Sequence, residues 1–130
     1  WFKKEYGREK LYLVITDSRS APLRRGVVGI AVGWAGFEPL YDGRNRTDLL
    51  GEESGGSQTN VADAIAATAV LAMGEANEGT PLVRLRGVPY VGEPRVSGDP
   101  RFNDYEIPPE EDIYFPFLNS QDWKKGGHNS

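Results

Sequence analysis

The chain has 130 residues, enough for one domain with a modest core that buries a little under about 70% of the unfolded surface. Its formal net charge is −4 with both signs mixed along the sequence, which gives no support to a nucleic-acid or membrane electrostatic role. It has no cysteine, which excludes disulfides and thiolate metal sites, and no stretch approaching the roughly 18 apolar residues of a membrane span, so it reads as cytoplasmic.

The first residue is Trp rather than Met, which predicts a natural amino terminus further upstream. Residues 1–8, "WFKKEYGR", read as the end of a helix stopped by Gly7. "KLYLVIT" is a β-branched and aromatic run, predicted as a buried strand feeding a loop that starts at Asp17. "APLRRG" is a turn with two cations. In "VVGIAVGWAGFEPL", Val28, Ile30, Val32 and Trp34 alternate with Gly29, Ala31, Gly33 and Ala35, which predicts a strand with one bulky and one bare face. The bare face permits close approach of another backbone or of a ligand. "YDGRNRTDLLGEESGGSQT" is polar and glycine-rich, a long loop or hairpin with a short strand near residues 57–59.

The clearest helix is "NVADAIAATAVLAMG". Asn60 caps it, Asp63 stands where a capping box would place an acid, and Val61, Ile65, Ala69 and Met73 mark an apolar stripe. "PLVRLRGVPYV" is predicted as a further strand. From about Gly92 onward Pro and acidic residues dominate up to "EEDIYFPFL", a short helix or extended arm whose Ile113, Tyr114, Phe115, Phe117 and Leu118 need cover from the sheet or from a partner. His128 lies alone in a glycine-rich tail and is no candidate base. The fold class expected is α+β, a mixed or antiparallel sheet with one long helix. The chain is read as a single domain over 1–130, with 92–130 as an arm or tail.

Three constellations could carry chemistry. Asp17 and Ser18, on a strand end, offer two oxygens for Mg²⁺ or Mn²⁺, although an Asp there also serves simply to cap a turn. Arg19, Arg24 and Arg25 can pair with phosphate or carboxylate, or remain solvated charges. After Met73, "GEANEGT" puts small residues and acids at a helix end, where backbone N–H groups suit phosphate and Glu75 suits a metal. On the plain alternative Gly74 ends the helix and the acids face solvent. Glu75 would then oppose the negative end of the helix dipole, an arrangement that a neighbouring cation relieves. In "YDGRNRTDLLG", Asp42, Arg44, Arg46 and Asp48 offer a polar-ligand loop or a self-paired charge cluster. Neither a Walker lysine pattern nor GxGxxG occurs.

Taken in order, "LVITDSRSAPLRRGVVGIAVGWAGFEPL", "DGRNRTDLLG" and "TNVADAIAATAVLAMGEANEGTPLV" resemble the carboxyl-terminal half of the coenzyme F-420-0:L-glutamate ligase family. The nearest flavour is its bacterial folate-metabolism gamma-glutamate ligase branch, and the similarity covers residues 8–90. The resemblance implies an intertwined homodimer of α+β fold that joins the amine of L-glutamate to an acceptor carboxylate, driven by GTP and Mg²⁺ or Mn²⁺. It implies Asp17, Ser18 and Glu75 as metal ligands, with Ser18 standing where Thr is usual. By the same match, Met73, Gly74, Glu75, Ala76, Asn77, Glu78, Gly79 and Thr80 form the nucleotide-contacting loop. Arg19, Arg24 and Arg25, read from their chemistry, are the catalytic candidates that would hold phosphate or a substrate carboxylate. Read on its own, Glu78 is a solvent-facing loop acid. The family's amino-terminal half, with its "NAGID"-like metal motif, has no counterpart in these residues, so a partner chain or further polypeptide would have to supply it. The family's "DYRG" stands here as "DGRN", which leaves the acceptor open between F-420-0 and a folate. The alternatives are a non-catalytic nucleotide- or metal-binding homologue and a structural subunit completing a partner's sheet.

Overall fold

The computed structural model describes residues 1–42, 49–51, 58–92, 105 and 107–120. The chain divides into two compact units, 1–96 and 97–130. In the first unit α1 (Phe2–Glu5) is followed by β1 (Leu13–Ser20), β2 (Val27–Ala35), β3 (Leu40–Asp42), β4 (Gln58–Asn60) and α2 (Val61–Met73). β1 pairs antiparallel with β2, and β3 with β4, as two separate two-stranded sheets. This is the expected α+β class with one principal helix. The second unit holds a 3-10 turn (Pro109–Glu111) and α3 (Phe115–Asn119). Its Ile113, Tyr114, Phe117 and Leu118 stay exposed.

β1 runs further than its apolar residues alone predict. Asp17 and Ser18 lie inside the strand, opposite Ile30 and Gly29, and not in a loop after it. Backbone pairing carries the extension, because the ladder continues through Arg19 opposite Val28 and Ser20 opposite Val27 whatever side chains β1 carries. A bulge interrupts the ladder. Ile15 faces Gly33 and Thr16 faces Ala31, so Val32 is the extra residue. Beyond the bulge the alternation inverts, and Trp34, opposite Val14, leaves the face shared by Val28, Ile30 and Val32.

The bare face of β2 receives α2. Gly29 and Ala31 are buried there, whereas Val28 and Val32 are exposed, the reverse of what side-chain size alone would suggest. A Cβ added at Gly29 would stand 2.6 Å from the Ala66 carbonyl oxygen and 2.6 Å from Val70 Cγ2. The helix therefore rests on the strand at backbone distance, and only small residues fit between them. The residues buried on α2 are Val61, Ala62, Ala66 and Ala69, so Val61 and Ala69 of the expected stripe are buried, Ile65 and Met73 are half-buried, and Ala62 and Ala66 join the packed face. Alanine at 62 and 66, without exposed surface, gives the close approach that Ile65 could not.

Both ends of α2 are capped, the first by side chains and the second by a glycine backbone. Asn60 Oδ1 accepts from the Asp63 N–H at 3.0 Å, and Asn60 Nδ2 donates to Asp63 Oδ2 at 2.8 Å. Asp63 Oδ1 also accepts from the Ala31 N–H at 2.8 Å, so one carboxylate satisfies β2 beside its bulge and the start of the helix. At the other end Gly74 takes φ 82° and its N–H donates to the Val70 carbonyl at 2.9 Å.

Residues 81–91, expected as a strand, form none in the structure. Pro81 and Pro89 donate no backbone hydrogen bond and Gly87 turns at φ 67°, so the run lacks the donors and the straightness of a ladder strand. Tyr90 instead stacks on Tyr41 of β3, with ring centroids 4.2 Å apart.

Candidate functional site

An open cavity of about 520 Å³ lies where β1 meets the carboxyl end of α2 and the loop that follows. The strand wall consists of Thr16, Asp17 and Ser18. The opposite wall runs from Val70 and Met73 through Gly74, Glu75 and Ala76 to Glu78, Gly79, Thr80 and Pro81. Alternation on β1 places Ser18, opposite Gly29, on the face toward α2, and Thr16 shares that face.

The contact that closes the site joins residues 57 apart in sequence. Ser18 Oγ donates to Glu75 Oε2 at 2.8 Å. Asp17 Oδ1 accepts from the Ser18 N–H, also at 2.8 Å, which holds the Asp17 carboxylate against the backbone of the next residue, although Asp17, paired opposite Ile30, belongs to the other face of β1. Glu75 stands one residue past the glycine that ends α2. An acid at this pole of a helix costs about 0.3 to 1 kcal/mol, and a donated hydroxyl proton offsets part of that.

The loop is held by its own side chains. Thr80 Oγ1 donates to the Met73 carbonyl at 2.6 Å, supplying a partner for one of the last helical acceptors. Glu78 Oε2 accepts from the Ala76 N–H at 2.8 Å. That bond, with a second from its own backbone N–H, holds the Glu78 carboxyl below its ordinary value. Glu78 also lies against Gly74, where an added Cβ would run into the carboxylate.

The structure thus gathers Asp17, Ser18, Met73, Gly74, Glu75, Ala76, Glu78, Gly79 and Thr80 around one cavity. Asn77 is in the same loop but is not among the lining residues. Arg19, Arg24 and Arg25 are exposed and do not line it. Arg19 pairs opposite Val28, on the face turned away from α2, and the other two lie in the turn after Leu23, whose φ is 58°. Arg44, Arg46 and Asp48 lie outside the described residues. Sequence reasoning missed Thr16, which the period-two rule assigns to the same face as Ser18. Glu78 belongs to the expected loop, but its folding back onto the Ala76 N–H is announced by no local pattern.

The donor set here is all oxygen, two carboxylates and a hydroxyl, which suits a hard cation such as Mg²⁺ or Mn²⁺. Among the described residues no group of three His, Cys, Asp or Glu side chains is assembled to hold an ion. Phosphate, water or other polypeptide would have to complete a coordination shell. No helix among the described residues is long and apolar enough to cross a membrane.

Comparison with known proteins bears on the whole of this region. Residues 2–87 match the family model for F420-0:Gamma-glutamyl ligase. A Coenzyme F420:L-glutamate ligase of Methanothermobacter thermautotrophicus is 45% identical over 84 residues, 65% of this chain and 33% of that protein. The protein of the same description from Methanocaldococcus jannaschii is 37% identical over 108 residues, 82% of this chain and 41% of its own. A third, from Natronomonas pharaonis, is 46% identical over 74 residues, 57% of this chain and 29% of its own. The chain therefore spans about a third to two fifths of the curated relatives it matches.

Proposed function

The chain belongs to the F420-0:gamma-glutamyl ligase family, and on that premise we propose that it forms one wall of the active site of a gamma-glutamyl ligase. The reaction joins the amine of L-glutamate to an acceptor carboxylate of F-420-0 or a folate, in the cytoplasm. The acceptor carboxylate attacks the terminal phosphoryl group of GTP and releases GDP. The glutamate amine then attacks the resulting acyl carbon, phosphate leaves, and an amide bond remains. No protein nucleophile is required.

The observation that carries this reading is the meeting of Ser18 and Glu75 at 2.8 Å in the cavity wall, with Asp17, the preceding residue of β1, also among the lining residues. Asp17, Ser18 and Glu75 would hold Mg²⁺ or Mn²⁺, which when bound neutralises charge on the phosphates. The loop 73–80 would position the nucleotide through its backbone N–H groups, with Gly79, around which an added Cβ would meet nothing within 4 Å, leaving room for close approach. Arg19, Arg24 and Arg25, outside the cavity, would act on a substrate carboxylate or phosphate only by reaching over its edge. A homodimer or a partner chain would provide the remaining walls.

The test is product formation from GTP, L-glutamate and an acceptor by the complete protein. Asp17→Ala and Glu75→Ala are expected to lower the rate on the order of a hundredfold or more. Ligation at the normal rate in both variants would overturn the assignment of these residues. A complete protein that binds GTP with Mn²⁺ without forming product would overturn the ligase reading in favour of a non-catalytic homologue.

A further inference from the structure

Three acidic residues, Asp17, Glu75 and Glu78, are among those lining the cavity, and the proposed reaction employs only Asp17 and Glu75. The third, Glu78, occupies a backbone donor. Its Oε2 accepts from the N–H of Ala76, itself a lining residue, at 2.8 Å. The side chain lies across Gly74, and the absence of a Cβ there is what admits it, since even Glu78 Cγ would stand 2.7 Å from an added carbon. The Thr80 hydroxyl is committed to the Met73 carbonyl and pins the far side of the loop independently of Glu78.

We propose that the Glu78 carboxylate is an internal occupant of an oxyanion site, holding the Ala76 amide in the free protein and yielding it to an oxyanion of the bound ligand. This inference rests on the reading of the cavity as the ligand site. The geometry supports displacement rather than permanent closure. The bond is solvent-exposed and links residues two apart, so side-chain rotation of Glu78 alone releases the amide while Thr80 keeps the backbone in place. An oxyanion is the ligand chemistry implied, because a carboxylate and a phosphate oxygen make the same charge-assisted bond to a backbone N–H. Two sources carry it, a nucleotide phosphate and the carboxylate of an amino acid.

An internal competitor lowers apparent affinity by the fraction of time the site is free. If Glu78 holds the amide nine-tenths of the time, removing it tightens oxyanion binding about tenfold. The experiment titrates the wild-type chain, Glu78→Ala and Glu78→Gln separately with inorganic phosphate, GTP and L-glutamate, at low and high salt. It follows affinity together with the amide resonance of Ala76. Glu78→Ala is expected to shift that resonance toward a free amide and to bind the matching oxyanion about tenfold tighter at both salt concentrations, with Glu78→Gln in between. A gain for phosphate and GTP identifies the nucleotide; a gain for glutamate alone identifies the amino-acid carboxylate. Unchanged or weaker binding in Glu78→Ala, while the wild type binds, overturns the proposal and makes Glu78 a loop clip. A gain that vanishes at high salt also overturns it, since a general charge effect is screened there. Failure of every chain to bind any of the three probes overturns the cavity reading itself.

Discussion

Replacing Gly29 by Ala tests how α2 is seated against β2. The added Cβ would meet the Ala66 carbonyl oxygen and Val70 Cγ2, each at 2.6 Å, and Val70 Cβ at 2.8 Å. Relief to an ordinary contact of 3.4 Å needs a local retreat of about 0.8 Å, and because one obstacle is backbone, side-chain rotation cannot supply it. Overpacking of this kind costs about 1 to 3 kcal/mol. Alanine recovers about 0.5 to 1 kcal/mol of the backbone entropy that glycine loses in a strand. The net expectation is a loss centred on about 1 kcal/mol, within about 0 to 2.5, or a fall in Tm of a few degrees, at roughly 4 °C per kcal/mol for a chain between the small and large domain classes. Thermal and urea denaturation measure it. Gly33→Ala is the control, because a Cβ there meets only Ile15 carbons at 3.7 and 3.9 Å, and it should be neutral or slightly stabilising. A Gly29→Ala chain as stable as the wild type would refute the close seating of the helix.

Other substitutions follow from the same contacts. Asp63→Ala takes the acceptor from the Ala31 N–H and from Asn60 Nδ2, while the Asn60 cap on the residue-63 N–H stays, and should cost about 1 to 3 kcal/mol in urea denaturation, with Asp63→Asn milder because one acceptor remains. Gly74→Ala combines φ 82° with a collision against Glu78, so it should lose more than about 1 kcal/mol and displace the loop, seen as shifts of the Ala76 and Glu78 resonances. Acidification acts through Glu78. Its carboxyl titrates below the ordinary value of 4.5, so its contribution to the loop is complete above that value and is lost as pH falls through the depressed one. The Ala76 amide resonance should report that step, and Glu78→Gln should abolish it.

Much of this architecture was legible in residue order. The glycine and alanine alternation in β2 announced a face open to close approach, and the structure fills it with the backbone of α2. Asn60 and Asp63 announced the start of the helix, and Gly74 its end. The bond from Asp63 to Ala31 was not legible, because it depends on the helix crossing β2 beside the bulge. The bulge itself hides in a run whose two-residue period continues unbroken in the sequence. The packed face of α2 is legible at Val61 and Ala69 but not at Ala62 and Ala66, because bulk favours Ile65 whereas the glycine surface beneath selects alanine. For the cavity, each half was visible as a local pattern, the acid and hydroxyl of β1 and the acid after Gly74. Only the fold brings Ser18 and Glu75 together. Arg19 shows the limit of proximity in sequence, since one step along a strand sends it to the opposite face from Ser18.

The central claim is that Asp17, Ser18 and Glu75 form a metal-dependent nucleotide site, and thermal stability with GTP and Mn²⁺ tests it most directly. At a ligand concentration about a hundred times Kd the wild type should gain about 2.7 kcal/mol, visible as a clear rise in Tm that requires both components. The rise should be absent in Asp17→Ala and Glu75→Ala. No rise in the wild type, or an equal rise in both variants, would contradict the account.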